Sequence, residues 1–226
     1  ARRGDTVLPD PLAVALTETI DHPFAERFGE TALLAQWQAL RAKRFDIEIR
    51  RFLAAHPDGT VVALGEGLET QFWRVDNGRM RWLTVDVPET IELRDRLLGL
   101  ADRQAAFAGS AFEAAWMDDV DPGNGVLVTA QGLFMYFDLT EVERLIAALR
   151  ARFPGGWLLF DAVPKWQAAR SRKPRSDGGY RPPPWLWGMD RHRRRALGAA
   201  KLRLPRGRGI FGVLPLSAVE ILRVRL

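Results

Sequence analysis

Short apolar runs alternate with stretches of helical periodicity over the middle of the chain. Four of the runs are mainly apolar or β-branched with little polar alternation, which is typical of strands covered on both faces of a parallel sheet. They lie at residues 60–64, 81–85, 126–130 and 157–160. Helical segments are expected between them, at residues 68–75, 88–100 and 140–151. This alternation predicts βαβ units and an α/β fold with a doubly wound, mostly parallel sheet.

The N-terminal part of the chain has a different pattern. Residues 1–55 have helical spacing that Pro23 interrupts, and the longer helix is expected at residues 30–53. Farther along, Thr140 and Glu143 have the spacing of a capping box, which predicts a helix start at Thr140. We therefore expect a helical N-terminal cap that belongs to the same domain as the sheet.

The C-terminal part is harder to interpret. In residues 164–208, proline and arginine runs interrupt any periodicity, so we expect an insertion that covers the ligand edge of the sheet as a lid. Two late strands are expected at residues 209–214 and 219–226. No domain boundary is evident, and we predict one domain over residues 1–226.

Composition narrows the class of protein. The 226 residues are 47% apolar, which suits a globular domain with a real core. There is no cysteine, which excludes a disulfide scaffold, a thiolate metal site and a cysteine nucleophile. The three histidines are scattered and match no metal spacing, so no metal is expected. No apolar run approaches the ~20 residues that a membrane span needs, and we expect a cytoplasmic protein.

Charge is unevenly distributed along the chain. Residues 165–226 contain 16 Lys or Arg against 3 Asp or Glu, whereas the first 164 residues carry a net charge of −8. A basic third of a chain is found in proteins that bind anionic ligands or nucleic acid, and it is also found as ordinary solvated surface. No RNA-binding motif with interleaved aromatic residues is present, so we expect no nucleic-acid partner.

The strongest chemical motif follows the first buried strand. Gly65-Glu66-Gly67 lies between that strand and the next helix, where glycines permit a tight turn and close approach of a ligand. Asp86 ends the next strand, 21 residues after Gly65, where a carboxylate can accept hydrogen bonds from ribose hydroxyls. Together these residues predict a site for an adenosine-containing cofactor.

The loop also bears on which cofactor is bound. A dinucleotide fingerprint has a third glycine where this chain has Thr70, and the carboxylates of Glu66 and Glu69 would repel a pyrophosphate. S-adenosylmethionine carries a sulfonium and an ammonium and no phosphate. The residues therefore favour S-adenosylmethionine over NAD.

Several segments in one order closely resemble the leucine carboxyl methyltransferase family, in particular its bacterial polyketide O-methyltransferases. They are residues 44–46, 56–78, 86–89, 116–118, 128–137, 152–156 and 204–209. The resemblance implies a class I S-adenosylmethionine-dependent methyltransferase fold, with a seven-stranded sheet whose last strand is antiparallel. It implies an O-methyltransferase that acts on a carboxylate or hydroxyl of a small polyketide-like or other natural-product acceptor.

The resemblance also assigns roles to individual residues. Gly65, Glu66 and Gly67 would line the methionine part of the cofactor, and Asp86 would hold the ribose. Ser110 and Ala111 would flank the adenine, and either Arg41 or Arg44 would reach the cofactor carboxylate. Gln131 stands where many relatives carry Glu, and it would contact the cofactor or the acceptor. These roles belong to the family pattern and are carried to the matching positions here.

The chemistry of methyl transfer requires few catalytic side chains. A carboxylate acceptor is ionised near pH 7 and needs no general base, whereas a phenol would benefit from one. Tyr136 and Gln131 are the catalytic candidates; His22 and His56 are expected to be structural, and His192 to be solvated within the basic run. Aromatic candidates for acceptor binding are Tyr136, Tyr180, Trp185 and Trp187. Two alternatives stay open: a methyltransferase-like protein that binds an acidic macromolecule, and an NAD-linked oxidoreductase.

Overall fold

The computed structural model describes residues 6–28, 32–172, 183–202 and 220–226. Its centre is a seven-stranded sheet in the order β3-β2-β1-β4-β5-β7-β6. The strands are β1 (Thr60–Leu64), β2 (Arg81–Asp86), β3 (Gln104–Ala108), β4 (Val126–Ala130), β5 (Trp157–Ala162), β6 (Ala200–Leu202) and β7 (Glu220–Arg225). The first five strands are parallel, and β7 is antiparallel to both of its neighbours. The expected fold class and the antiparallel last strand are confirmed.

Helices cover both faces of the sheet. They are α1 (Pro11–Thr19), α2 (Phe24–Phe28), α3 (Ala32–Ala55), α4 (Gln71–Val75), α5 (Pro88–Leu98), α6 (Leu139–Arg152), α7 (Lys165–Ser171) and α8 (Arg191–Ala196), with short 3-10 helices at Ala115–Asp119 and Phe134–Tyr136. None of the helices within the described ranges is long and apolar enough to cross a membrane.

Strand β1 shows why the apolar runs lack polar alternation. All five of its residues are buried. Val61 and Ala63 belong to the apolar cluster that contains Phe45 and Ile49 of α3. Val62 and Leu64 face the opposite cluster, which contains residues of α6. Because successive side chains of a strand point to opposite faces, a strand between two helical layers is apolar at every position.

Two predicted boundaries are wrong in instructive ways. Helix α6 begins earlier than Thr140, because the capping box is formed by Asp138 and Glu141: the Asp138 carboxylate accepts from the Thr140 N–H at 2.8 Å. An aspartate is as good an N-cap as a threonine, and here it comes first. Helix α4 is shorter than the predicted segment 68–75, since residues 68–70 belong to the glycine loop.

The segment predicted as a lid contains regular structure. Within residues 164–208, α7, α8 and β6 are formed, and β6 pairs with β7 in the main sheet. Helix α7 is held along its length by the strand-like segment that follows it: the Lys165 N–H donates to the Met189 carbonyl at 3.3 Å, and Arg172 Nε donates to the Trp185 carbonyl at 3.2 Å. Residues 173–182 and 203–208 of the predicted lid, and the strand expected at 209–214, lie outside the described residues.

Candidate functional site

A cavity of about 320 Å³ opens above the carboxyl ends of β1 and β4. Its volume is at the lower end of the range of about 300–1,000 Å³ found for small-molecule sites. The loop after β1, the loop after β4 and helices α1 and α3 contribute its walls, among them Ala13, Arg41, Gly65, Glu69 and Gln131. This is the edge of an α/β sheet at which ligands bind.

The loop after β1 depends on its two glycines. Gly65 and Gly67 have φ angles of +60° and +58°, in the left-handed region that other residues rarely adopt. A Cβ added at Gly65 would lie 2.7 Å from the Leu133 side chain, whereas a Cβ at Gly67 would meet no atom within 4 Å. Gly65 is thus required by backbone conformation and by packing, and Gly67 by conformation together with any ligand that approaches it.

Asp86 lies beside this loop, as the spacing predicts. One carboxylate oxygen accepts from the Gly67 N–H at 2.8 Å, and the other accepts from the Val87 N–H at 2.8 Å. Each oxygen keeps a further lone pair for a ligand hydroxyl. The loop after β3 is tied to the same place, because the Gly109 N–H donates to the Asp86 carbonyl oxygen at 2.8 Å. Ser110 and Ala111 follow directly, but neither they nor Asp86 line the cavity itself.

The carboxylate of Glu66 is paired with groups of the protein. It is buried and bonds Thr84 Oγ1 at 2.6 Å, Trp82 Nε1 at 3.1 Å and Arg94 Nη2 at 3.0 Å. Burial raises the pKa of Glu66, while the adjacent Arg94 favours its ionised form. Glu66 lines the cavity, yet its charge is balanced by Arg94 and is not available to attract a cationic ligand. The charge argument made from Glu66 is therefore corrected.

An excess of negative charge is found instead in a group that we name the Arg74 cluster: Asp10, Asp46, Glu69 and Arg74. The Arg74 guanidinium contacts Asp10 at 2.5 Å, Asp46 at 2.9 Å and Glu69 at 2.6 Å. Although burial lowers it, the pKa of Arg74 is raised overall by the hydrogen bonds and charges of Asp46 and Glu69. Three carboxylates against one guanidinium leave the cluster net negative, which favours a cationic ligand in the adjacent cavity.

Arg41 and Gln131 supply further polar groups to the cavity. Arg41 Nη1 contacts the fully buried Asp161 carboxylate at 3.0 Å, and the other oxygen of Asp161 accepts from the Gly132 N–H at 2.6 Å. Gln131 Nε2 lies 3.4 Å from Glu69 Oε2. The buried Gln131 Oε1 and Arg41 Nε have no hydrogen-bond partner among the described residues. Such a buried amide oxygen can accept from a water molecule or from a ligand donor.

Of the two arginines considered for the cofactor carboxylate, the structure places only Arg41 at the cavity. Arg44 contacts Glu48 at 2.5 Å, and Glu48 also bonds Arg51 and Arg223. Burial lowers the pKa of Arg44, and the attraction of Glu48 opposes this. Arg44 does not line the cavity, and its guanidinium is engaged between α3 and β7, so this geometry favours Arg41 for the cofactor carboxylate.

The aromatic candidates fall into three groups. Tyr136 and Trp185 are half-buried and pack on one small apolar cluster at the ends of β4 and β5. Trp187 is 6% exposed, and its indole N–H donates to the Phe134 carbonyl at 2.9 Å. Its ring is therefore part of the packed interior and does not contact a methyl acceptor at the cavity. Tyr180 lies outside the described residues. Across the described parts of the chain, no group of three His, Asp or Glu side chains is arranged to hold a metal ion.

Sequence reasoning missed Arg94, Arg74 and Asp161, although they organise this site. Arg94 offered a signal: it follows Ile91 by three positions and precedes Leu98 by four, so a charge stands on the apolar stripe of α5. Its side chain is 2% exposed. A charged residue at a core position requires a partner, and such a position is a reason to search for one.

Comparisons with known proteins agree with this geometry. Residues 2–150 match a family model described as leucine carboxyl methyltransferase. A tetracenomycin polyketide synthesis O-methyltransferase, TcmP of Streptomyces glaucescens, is 34% identical over 166 residues, which are 73% of this chain and 61% of that relative. The chain thus spans less than two thirds of the length of this curated relative.

Solved structures share the fold at low sequence identity. The N-methyltransferase NodS from Bradyrhizobium japonicum WM9, solved with S-adenosyl-L-homocysteine, matches with a TM-score of 0.55 and 11% identity over 96% of this chain and 98% of NodS. The methyltransferase domain of bacterial CtHen1-CN matches with a TM-score of 0.55 and 15% identity over 84% and 99%. At such identities the likeness shows the fold alone.

Proposed function

Because the chain belongs to the leucine carboxyl methyltransferase family, we propose that it is an S-adenosylmethionine-dependent O-methyltransferase. Its acceptor would be a carboxylate or hydroxyl of a small polyketide-like or other natural product. The name of the Streptomyces relative supports the acceptor class. The cofactor assignment is supported by the cavity itself.

The observation that carries the proposal is the set of polar groups in the cavity. Glu69 and Gln131 Oε1 are acceptors suited to an ammonium group, and Arg41 is suited to a carboxylate. Glu69 and Arg41 are also ion-paired, but their side chains are 27% and 21% exposed, whereas that of Glu66 is 2% exposed. An α-amino acid end needs both kinds of partner. The net negative Arg74 cluster would stabilise a sulfonium and would repel a pyrophosphate, so it disfavours the alternative of an NAD-linked oxidoreductase.

The remaining cofactor contacts follow from the same placement. Asp86 would accept hydrogen bonds from the ribose hydroxyls, and Ser110 with Ala111 would flank the adenine. When bound, S-adenosylmethionine supplies a methyl group on a positively charged sulfur. The residues of the chain align donor and acceptor and exclude water, which is where most of the barrier reduction in such a transfer is expected.

The acceptor would lie beside Tyr136 and Trp185. Their half-buried rings offer apolar area to a flat molecule, and the Tyr136 hydroxyl can donate to an acceptor oxygen. Tyr136 and Gln131 therefore remain the candidates for orienting the acceptor. A carboxylate acceptor arrives ionised, so no base among the residues at the cavity has to remove a proton.

Calorimetry with four ligands tests the cofactor assignment. The native protein is expected to bind S-adenosylmethionine and S-adenosylhomocysteine and not NAD. Glu69→Gln and Arg41→Met should weaken S-adenosylmethionine but not methylthioadenosine, which lacks the amino acid end. Asp86→Asn should weaken both nucleosides. Tighter binding of NAD than of S-adenosylmethionine, or equal losses for both nucleosides in all three variants, would refute the assignment.

Mass spectrometry of the products tests the acceptor class. With S-adenosylmethionine present, aromatic carboxylic acids and phenols should gain one methyl group. The alternative of a binding protein for an acidic macromolecule predicts instead no turnover and binding that weakens steeply with salt. Several basic residues of the C-terminal part already have partners, among them Arg194 and Lys201, which both contact Glu220.

A further inference from the structure

Arg94 lies behind the glycine loop and not in the cavity. It is on α5, its side chain is 2% exposed, and it is not part of the cavity wall. Neither the family resemblance nor the composition of the cavity assigns it a role. A buried guanidinium needs a reason, since removing such a charge from water is unfavourable unless its donors are used.

The two terminal nitrogens of Arg94 donate to three residues of one loop, and the buried Nε has no partner among the described residues. Nη1 donates to the Gly67 carbonyl at 2.8 Å and to the Glu69 carbonyl at 2.8 Å. Nη2 donates to Glu66 Oε1 at 3.0 Å. The guanidinium also lies 5.8 Å from the centre of the Trp73 ring. A planar fork that reaches two carbonyls and one carboxylate together is particular to arginine.

These contacts hold the backbone on both sides of Gly67, in the loop whose neighbouring residues line the cavity. The Gly67 N–H is held by Asp86 on one side, and the Gly67 carbonyl is held by Arg94 on the other. The Glu66 carboxylate is in turn anchored to β2 through Thr84 and Trp82. The backbone is thus constrained on both sides in a conformation that a glycine with φ of +58° would otherwise leave easily.

We propose that Arg94 is a positioning residue: it holds residues 66–69 in the conformation that binds the cofactor, and Glu66 serves as the anchor of Arg94 rather than as a cofactor ligand. This inference rests on the proposed function. A loop that is ordered before the ligand arrives loses less conformational entropy on binding, so the effect should be on cofactor affinity.

Arg94→Lys is the principal variant, because lysine keeps the positive charge and loses the fork. In calorimetry we expect S-adenosylhomocysteine to bind at least 10-fold more weakly than to the native protein. In turnover, the KM for S-adenosylmethionine should rise while kcat stays within about threefold. In the ligand-free protein, amide hydrogen exchange should accelerate in residues 65–70.

Leu149→Ala is the matched control for a loss of stability alone. Leu149 is fully buried in α6 and belongs to the apolar cluster on the far face from Arg94. This variant should lower the melting temperature and leave the cofactor affinity and the loop exchange unchanged. If Leu149→Ala loses affinity as much as Arg94→Lys does, the effect of Arg94 is general destabilisation and the proposal fails.

Thr84→Val decides the question if Arg94→Lys does not fold. It removes one partner of Glu66 and is expected to shift affinity and loop exchange in the same direction by a smaller factor. Thr60→Val, at the opposite end of the neighbouring strand, is its control. Suppose that the native protein binds S-adenosylhomocysteine. The inference alone is then overturned if Thr84→Val has the same affinity as Thr60→Val, or if the affinity of Arg94→Lys is within twofold of the native value. Failure of the native protein to bind S-adenosylhomocysteine overturns the proposed function, and the inference with it.

Discussion

Replacing Arg74 with methionine would measure how much the Arg74 cluster contributes to stability. Methionine fills much of the volume of the arginine stem and removes the charge. Asp46, which is 1% exposed, would keep only the amide of Gln71 at 2.9 Å, and Asp10 would keep the Thr70 hydroxyl at 2.5 Å. Two buried carboxylates would then lack a cationic partner.

The magnitude follows from that burial. Removing one partner of a buried ion pair costs about 3–5 kcal/mol, because the remaining charge is left uncompensated. The exposed pair of Arg79 and Asp58 is the matched control, since both side chains are about half exposed and joined by two hydrogen bonds. Arg79→Met should change the free energy of unfolding far less than Arg74→Met does, because water already solvates both partners of the exposed pair.

The assay is urea denaturation followed by tryptophan fluorescence. If the slope of the transition is the same in two variants, the difference between their midpoints reports a difference in stability. Adding Asp46→Asn to Arg74→Met should recover part of the loss, because the amide removes one of the stranded charges. Equal losses in Arg74→Met and Arg79→Met, or no recovery in the double variant, would refute the account of the cluster as a compensated buried charge group.

Three further predictions concern the loop, the ribose position and the C-terminal part. Asp86→Ala should weaken S-adenosylmethionine by about 1.5–3 kcal/mol in calorimetry while the fold survives, and native affinity would remove Asp86 from the site. Gly65→Ala should lower the melting temperature, because the added Cβ would lie 2.7 Å from a leucine side chain; Gly67→Val should abolish cofactor binding instead. NMR titration should give the Asp190 carboxyl a pKa of about 2, because Lys165 and the Arg193 N–H stabilise its ionised form. Its contribution to stability is present above the unfolded pKa of 3.8 and is lost as the pH falls towards 2; Lys165→Met should move the midpoint upward.

Features of the structure could be predicted from the sequence where a local requirement, such as burial or a tight turn, permits only one type of residue. Strand β1 could be predicted because burial on both faces favours β-branched and apolar residues along its whole length. Gly65 and Asp86 could be predicted because a tight turn and a strand end fix the neighbourhood of each.

Other features could not be found in this way because they depend on pairings between distant residues. Arg74 meets Asp10 across 64 positions, and Arg41 meets Asp161 across 120. Nothing in the local pattern distinguishes Arg41 from Arg44, since both stand on one face of α3. Trp187 was assigned to binding the methyl acceptor because composition does not tell a packed indole from an accessible one, whereas its exposed fraction of 6% in the structure does.

Asp10 links the beginning of α1 to Thr70, which lines the cavity, and to Arg74. One of its carboxylate oxygens caps α1 through the Ala13 N–H at 3.0 Å, and the other contacts Arg74. Proteolytic clipping or redesign of the chain just before Pro11 would therefore do more than shorten a terminus. It would remove the N-cap of α1 and one ion-pair partner of Arg74 in a single event. An affinity tag joined ahead of Asp10 is therefore best separated from it by a spacer.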